Sequence, residues 1–191
     1  MITKPNSDLV KRQLHAFRCD ARYRDADQAV EVVFRQWPGN RNIHEVLAKT
    51  TLLNRLYSTN ILAVHDVAEH IVEQNIDEQL SCGDMEVVRK IADVNIGGKL
   101  RHFRSFASKY CHWHQPDRYQ IYDSYVGKIL WRYQGDFDFA RFQQNDLKDY
   151  RRFVVVVDSL VNHFDLHEFS RKEIDIFLWM EGRQLAAVHR G

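Results

Sequence analysis

An all-α fold is what this sequence predicts, and three observations lead there. Apolar residues recur every three to four positions along nearly the whole chain, the period of an amphipathic helix. Short polar, Gly- or Pro-bearing stretches divide those runs: "WPGN" at 37–40, "DEQLSCGD" at 77–84 and "NIGGK" at 95–99. The one run of strong strand formers, "FVVVV" at 153–157, has no second such run to pair with. Local propensity favours a strand there, but Phe153, Val157, Leu160, Val161 and Phe164 also fall on one helical face, so a buried helix is expected.

The elements follow in order. "DLVKRQLHAFR" at 8–18 puts Leu9, Leu14 and Phe17 near one side, and 24–37 does the same with Ala26, Val30, Val33 and Phe34. Proline and glycine in "WPGN" end that helix. A third helix spans 43–58, with Leu53, Leu56, Tyr57 and Asn60 at the 3.6 period, and a break near Thr59-Asn60 leads into a fourth striped by Val64, Val67, Ala68 and Ile71. "DEQLSCGD" reads as a turn, "MEVVRKIADV" as a short helix and "NIGGK" as its stop. Residues 100–114 read as one long helix with Leu100, Phe103, Ala107, Tyr110 and Cys111 on a face. Pro116 interrupts it. Val126, Ile129, Leu130 and Tyr133 mark the next helix, and residues 136–151 are mixed and polar. Ser170 and Glu173 stand at capping-box spacing before the last helix, with Gly182 expected to close it. The sum is about nine helices in one unit of 191 residues, with two lobes expected at 43–133 and at 1–42 plus 134–191.

Bulk properties exclude several classes. With 45% hydrophobic residues the chain is globular and not disordered. A formal net charge of +1 neither demands nor excludes a polyanionic partner, so local basic patches matter more. Three cysteines, Cys19, Cys82 and Cys111, suggest a reducing compartment and are too few for an iron–sulfur cluster. No apolar run of membrane-spanning length and no signal peptide is present, so a cytoplasmic protein without a membrane is expected.

Four sites are candidates for chemistry. Asp123, in "YQIYDSYV", is either the N-cap of the following helix or a functional carboxylate, and the roles are compatible because a helix N-terminus favours an anion. "KYCHWH" at 109–114 brings Cys111, His112 and His114 close in sequence. The ligand count for tetrahedral zinc is incomplete, and residue 112 is expected to diverge from 111 and 114, so no metal is expected. Lys109 is a nucleophile only if desolvated, and a solvated helix lysine is the commoner case. The "NIGGK" glycines, Gly97 and Gly98, allow left-handed backbone. They form either an ordinary helix–helix turn or a phosphate-holding one, beside Lys99, Arg101 and Arg104.

An aspartate entering a helix within "YQIYDSYVGKIL", preceded by a glycine turn and a helix, resembles the helix–hairpin–helix DNA glycosylase superfamily. The stretch "TTLLNRLYSTNILAVHDVAEHI" is similar to that family's early helix pair. The resemblance covers roughly residues 43–133 and is carried mainly by 118–130. It implies a compact two-lobed helical domain in which Asp123 matches the family's aspartate. Ser105 stands eighteen residues before it, where bifunctional members have a lysine and some monofunctional adenine-removing members a serine. Tyr57 matches the place where a substrate-sensing glutamine often sits. The chain departs from the family in its hairpin, whose glycines precede Ser105 by six intervening residues.

The resemblance therefore implies a monofunctional DNA base-excision enzyme that needs no cofactor and acts on double-stranded DNA. Asp123 and Ser105 would be catalytic, Tyr57, Tyr122 and Trp113 would meet a flipped base, and Gly97, Gly98, Lys99, Arg101 and Arg104 would hold phosphates. The alternative is a non-catalytic DNA- or protein-binding member of the same frame, for instance in a nucleic-acid defence system. A metal-dependent nuclease lacks a close carboxylate cluster.

Overall fold

The structure, a computed structural model, describes residues 2–188. Ten α-helices, one 3-10 helix and one two-stranded hairpin make up the regular structure of the described residues. The fold is therefore mostly α-helical. It divides into two compact units. One takes the described residues through Tyr23 and from Tyr122 onward, and the other runs Arg24–Ile121. The expected division at 42/43 and 133/134 is offset from this one.

The first unit contains α1 (Ser7–Cys19), α8 (Ser124–Phe137), a 3-10 turn (Gln144–Lys148), α9 (Tyr150–His163) and α10 (Arg171–Val188). α10 packs on both α8 and α1. "FVVVV" lies in α9, with Phe153, Val157 and Leu160 buried at helical spacing. Burial along one face overrides the strand propensity of four valines. The Ser170–Glu173 box forms: the Glu173 carboxylate accepts from the Ser170 backbone N–H at 3.1 Å, and the Ser170 hydroxyl accepts from the Glu173 N–H at 3.3 Å. Gly182 does not close α10; it sits inside the helix. A Cβ there would collide with the Tyr125 carbonyl, so glycine is required by the close approach of α10 to the first turn of α8.

The second unit contains most of α2 (Ala21–Gln36), then α3 (Ile43–Leu56), α4 (Val64–Glu73), α5 (Asp77–Cys82), α6 (Glu86–Ala92) and α7 (Arg104–His114). "DEQLSC" is thus a short helix and not a turn, stopped by Gly83 in left-handed backbone. α4 starts at Val64, later than expected, because Asn54 ties down the preceding loop. Its side chain donates to the Ile61 carbonyl at 2.8 Å and accepts from the Ile61 N–H and the Thr59 hydroxyl, both at 2.9 Å. The buried stripe of α3 is Val46, Lys49, Thr50 and Leu53. Leu56 is 39% exposed and Asn60 is exposed, so neither belongs to it.

The largest departure is at "NIGGK". This is no helix–helix turn: β1 (Asp93–Ile96) and β2 (Lys99–His102) pair antiparallel around Gly97-Gly98. Both glycines have positive φ, 56° and 77°, as a two-residue hairpin turn requires. A Cβ at either would meet nothing within 4 Å, so backbone strain and not space selects glycine. α7 accordingly begins at Arg104, and Leu100 is 58% exposed on the strand instead of lining a helix.

Candidate functional site

Within the second unit, one side-chain cluster brings together residues that lie far apart in the sequence. Ser105 is in the first turn of α7 and Lys109 one turn later, the spacing at which helix side chains meet. Lys109 Nζ donates to Ser105 Oγ at 2.7 Å and lies 3.5 Å from the Ser105 carbonyl. Lys109 is only 3% exposed, so the expected solvated lysine is not what the fold contains. Its charged end also lies 5.8 Å from the centre of the Tyr57 ring, within cation–π reach.

Tyr57 caps α3 and is half-buried. Its hydroxyl donates to the Asp27 carboxylate on α2 at 2.9 Å, which fixes the ring against rotation out of the cluster. The Trp113 ring stands 6.4 Å from it, tilted by 53°. Trp113 is itself buried and packs edge-on against His112 at 5.8 Å, so it forms a wall and Tyr57 is the more open ring. The cluster thus offers an ammonium, a hydroxyl, an aromatic face and a carboxylate. Three of these residues, Ser105, Tyr57 and Trp113, are candidates on sequence grounds. Asp27 is not, because its link to Tyr57 spans thirty residues and no local pattern encodes it.

A second buried cluster lies in the same unit. Lys49 is fully buried and donates to the Trp37 and Gly39 carbonyls, at 3.0 and 2.7 Å, and to Asn40 Oδ1 at 2.8 Å. The Tyr110 hydroxyl donates to the same Asn40 oxygen, and the Asn40 amide donates to Asp77 at 2.8 Å. Burial pushes the Lys49 ammonium down to about 8 and the Tyr110 hydroxyl well up. Burial first, and the Lys49 charge second, push His114 down to about 3. These groups satisfy one another around the "WPGN" loop, so their work is structural. A lysine on the apolar stripe of α3 is the one local signal in the sequence that points to this cluster.

The remaining candidates fall elsewhere. Asp123, half-buried, is the N-cap of α8, its carboxylate accepting from the Tyr125 N–H at 2.9 Å. Tyr122 rests edge-on against Phe153 at 5.3 Å. Both belong to the first unit. Cys111 is core, and burial raises its thiol well above the usual value. His112 does not point away to solvent; it is 1% exposed, with Nδ1 2.8 Å from the Tyr119 carbonyl. Among the described residues no three His, Cys, Asp or Glu side chains gather as a metal site, and no helix is long and apolar enough to cross a membrane.

The hairpin presents the basic residues differently from a glycine turn. Every residue of β2 is exposed. The register pairs Arg101 with Val94 and Lys99 with Ile96, so the two cations share one face of the strand, and Leu100 and His102 share the other. His102 Nδ1 lies 2.7 Å from Asp93 Oδ1. Arg104, partly buried, opens α7, whose first turn has no acidic residue.

Among known proteins, the chain is 42% identical over 144 residues to an uncharacterized protein of Haemophilus influenzae, covering 75% of this chain and 69% of that protein. No solved structure matches the chain. The model of the HI_0787_N family, an N-terminal domain, matches residues 9–118, which include Asp27, Tyr57, the hairpin, Ser105, Lys109 and Trp113 but stop short of Tyr122 and Asp123. That match spans more than half of the sequence, and the chain belongs to the HI_0787_N family.

Proposed function

We propose that this chain is a monofunctional DNA base-excision enzyme on a helix–hairpin–helix glycosylase-like frame, working in the cytoplasm on double-stranded DNA. The observation that supports it is the single cluster of Ser105, Lys109, Tyr57 and Trp113. An aromatic face beside a hydroxyl and an ammonium suits a flipped base, which is held by stacking and by hydrogen bonds to its edge. Tyr57 is the stacking ring, with Trp113 behind it.

Departure of a base leaves cationic character on the sugar. In this reading the Asp123 carboxylate stabilises that charge or orients the attacking water, and its capping bond orients it. Lys99 and Arg101 on the exposed strand, Arg104 at the helix start and the Gly97-Gly98 backbone hold flanking phosphates. The frame lacks a lysine at position 105, so no Schiff base forms there.

The test is direct. Duplexes carrying alkylated, deaminated, oxidised and mismatched bases are assayed for base release, with borohydride present in parallel. Asp123→Asn retains most of the capping, so folding survives while release falls about 10²-fold or more. Release by the native chain without a trapped protein–DNA adduct is the expected result. No release from any duplex, or an Asn variant equal to the native chain, sinks the enzyme reading.

One observation favours a second reading, a binding protein without catalysis. The glycine turn is rebuilt as a hairpin with an exposed basic strand, and Asp123 already serves as a cap. Specific duplex binding without base release, weakened in a Lys99, Arg101 and Arg104 triple alanine variant, would establish it.

A further inference from the structure

We propose that Ser105 and Lys109 form a proton relay that protonates the leaving base, with Ser105 as the donor at the base and Lys109 as the positioning residue behind it. This rests on the base-excision reading above.

The direction of the hydrogen bond carries the inference. A lysine ammonium has only donors, whereas a hydroxyl has one donor and two acceptor sites. Because Lys109 Nζ donates to Ser105 Oγ at 2.7 Å, the hydroxyl accepts there and its own proton is directed elsewhere. Among the described residues no protein acceptor takes that proton. The Ser105 side chain is only half-buried, so a ligand can reach it. Behind it, Lys109 is nearly excluded from solvent and its stem is packed, so its charge polarises the hydroxyl in a medium where the bond is stronger than in water. An ammonium so placed makes Ser105 a better acid than an isolated serine.

The step balances as follows. As the C1′–N bond breaks, its electron pair stays with the base. Ser105 Oγ gives its proton to a ring nitrogen of that base, and Lys109 Nζ replaces it on Oγ. Water adds to C1′, its released proton is taken up by the half-exposed Ser105 Oγ, and the proton already on Oγ passes back to the Lys109 amine, so no proton has to reach Lys109 directly. The substrate class follows: a neutral purine, which must be protonated to leave well and which presents an acceptor nitrogen to the Ser105 hydroxyl proton. A base already cationic, such as 7-methylguanine, leaves neutral and needs no such help.

That contrast is the experiment. Duplexes carrying adenine, hypoxanthine, 8-oxoguanine or 7-methylguanine are incubated with the native chain, Ser105→Ala, Lys109→Met, Lys109→Arg and Asp123→Asn. The relay predicts that Ser105→Ala and Lys109→Met slow release of the neutral purine by about 10²-fold, but of 7-methylguanine by less than about tenfold. Lys109→Arg, which keeps the donor, recovers at least about tenfold over Lys109→Met, a rescue that packing alone does not explain. Asp123→Asn slows both bases alike. Equal losses on both bases, release of 7-methylguanine alone by the native chain, or an Arg variant no better than Met overturns the relay and leaves base excision standing. If the native chain acts only on neutral purines, the Arg-against-Met comparison decides. No release of any base by the native chain removes the base-excision reading itself.

Discussion

Lys49 and Lys109 belong to the same unit, and both are all but lost to solvent. What they hold differs. Lys49 donates to two backbone carbonyls and a buried amide, so every proton is committed to closing the loop after α2. Lys109 donates to a side-chain hydroxyl that is itself half-exposed, and lies near an aromatic ring fixed by a carboxylate. A buried lysine facing backbone holds the chain in place. A buried lysine facing a reachable hydroxyl alters what that hydroxyl can do.

The strongest way to break this contrast is to remove each ammonium in turn. Lys49→Met leaves the Trp37 and Gly39 carbonyls short of a donor and Asn40 Oδ1 with the Tyr110 hydroxyl alone, and should cost about 4 kcal/mol in equilibrium unfolding. At the Ser105 contact alone, Lys109→Met costs about 1 kcal/mol, because the half-exposed Ser105 hydroxyl turns to water. Comparable losses would erase the distinction. A backbone control lies in the other unit: Gly182→Ala drives a Cβ against the Tyr125 carbonyl and should cost about 3 kcal/mol, with Lys49 and Lys109 untouched. A neutral result there would mean that α10 shifts freely on α8.

Alkaline pH sharpens the comparison further. The folded Lys49 value, about 8, lies below the ordinary 10.5. Between them the unfolded chain binds more protons than the folded one, so this group's contribution to stability rises with pH across that window. The stability difference between the native chain and Lys49→Met should therefore widen from about pH 8 toward 10.5, by up to about 1.4 kcal/mol per pH unit. A constant or shrinking difference would show that the ammonium is not penalised. Taking the difference between the two proteins removes the buried tyrosines, whose hydroxyls burial pushes up in the folded chain and which lose protons toward pH 10 only when unfolded.

The smallest effect is spectroscopic. With His114 pushed down to about 3, its ring resonances should stay flat from pH 8 to pH 5. Since the Lys49 charge is the secondary cause, Lys49→Met should raise the His114 midpoint only modestly. A native midpoint near 6.5 would mean that the ring is open to water.

The legible part of the candidate site is its serine and its rings. Resemblance leads to Ser105 and Tyr57, and the structure places them in one cluster with Trp113. Asp27 is invisible in the sequence, since only the folding of α2 toward the end of α3 brings it to the Tyr57 hydroxyl. Lys109 reads as solvated because a helix lysine usually is. Its position, one residue from Tyr110 on a helix buried from Phe106 through Trp113, is the clue that α7 has no wet face there.

By itself the sequence determined most of the helices and several of their starts, but it set the starts of α4 and α7 too early and left α5 as a turn. Period and caps are local: Val126, Ile129, Leu130 and Tyr133 on α8, Asp123 capping it, and the Ser170–Glu173 box on α10 all act within a turn or two of the chain. Four valines became a helix because the stripe from Phe153 to Leu160 was already written at 3.6 spacing. The tertiary structure alone decided three things. Gly97-Gly98 permits left-handed backbone in any turn, and only the pairing of 93–96 with 99–102 made it a hairpin. Gly182 became essential because α10 meets the start of α8 there. Lys49 and Lys109 differ in that the fold brings backbone carbonyls to the one and a half-exposed hydroxyl to the other. A local pattern carries the geometry of its own few residues, whereas burial and hydrogen-bond partners depend on segments far away in the chain.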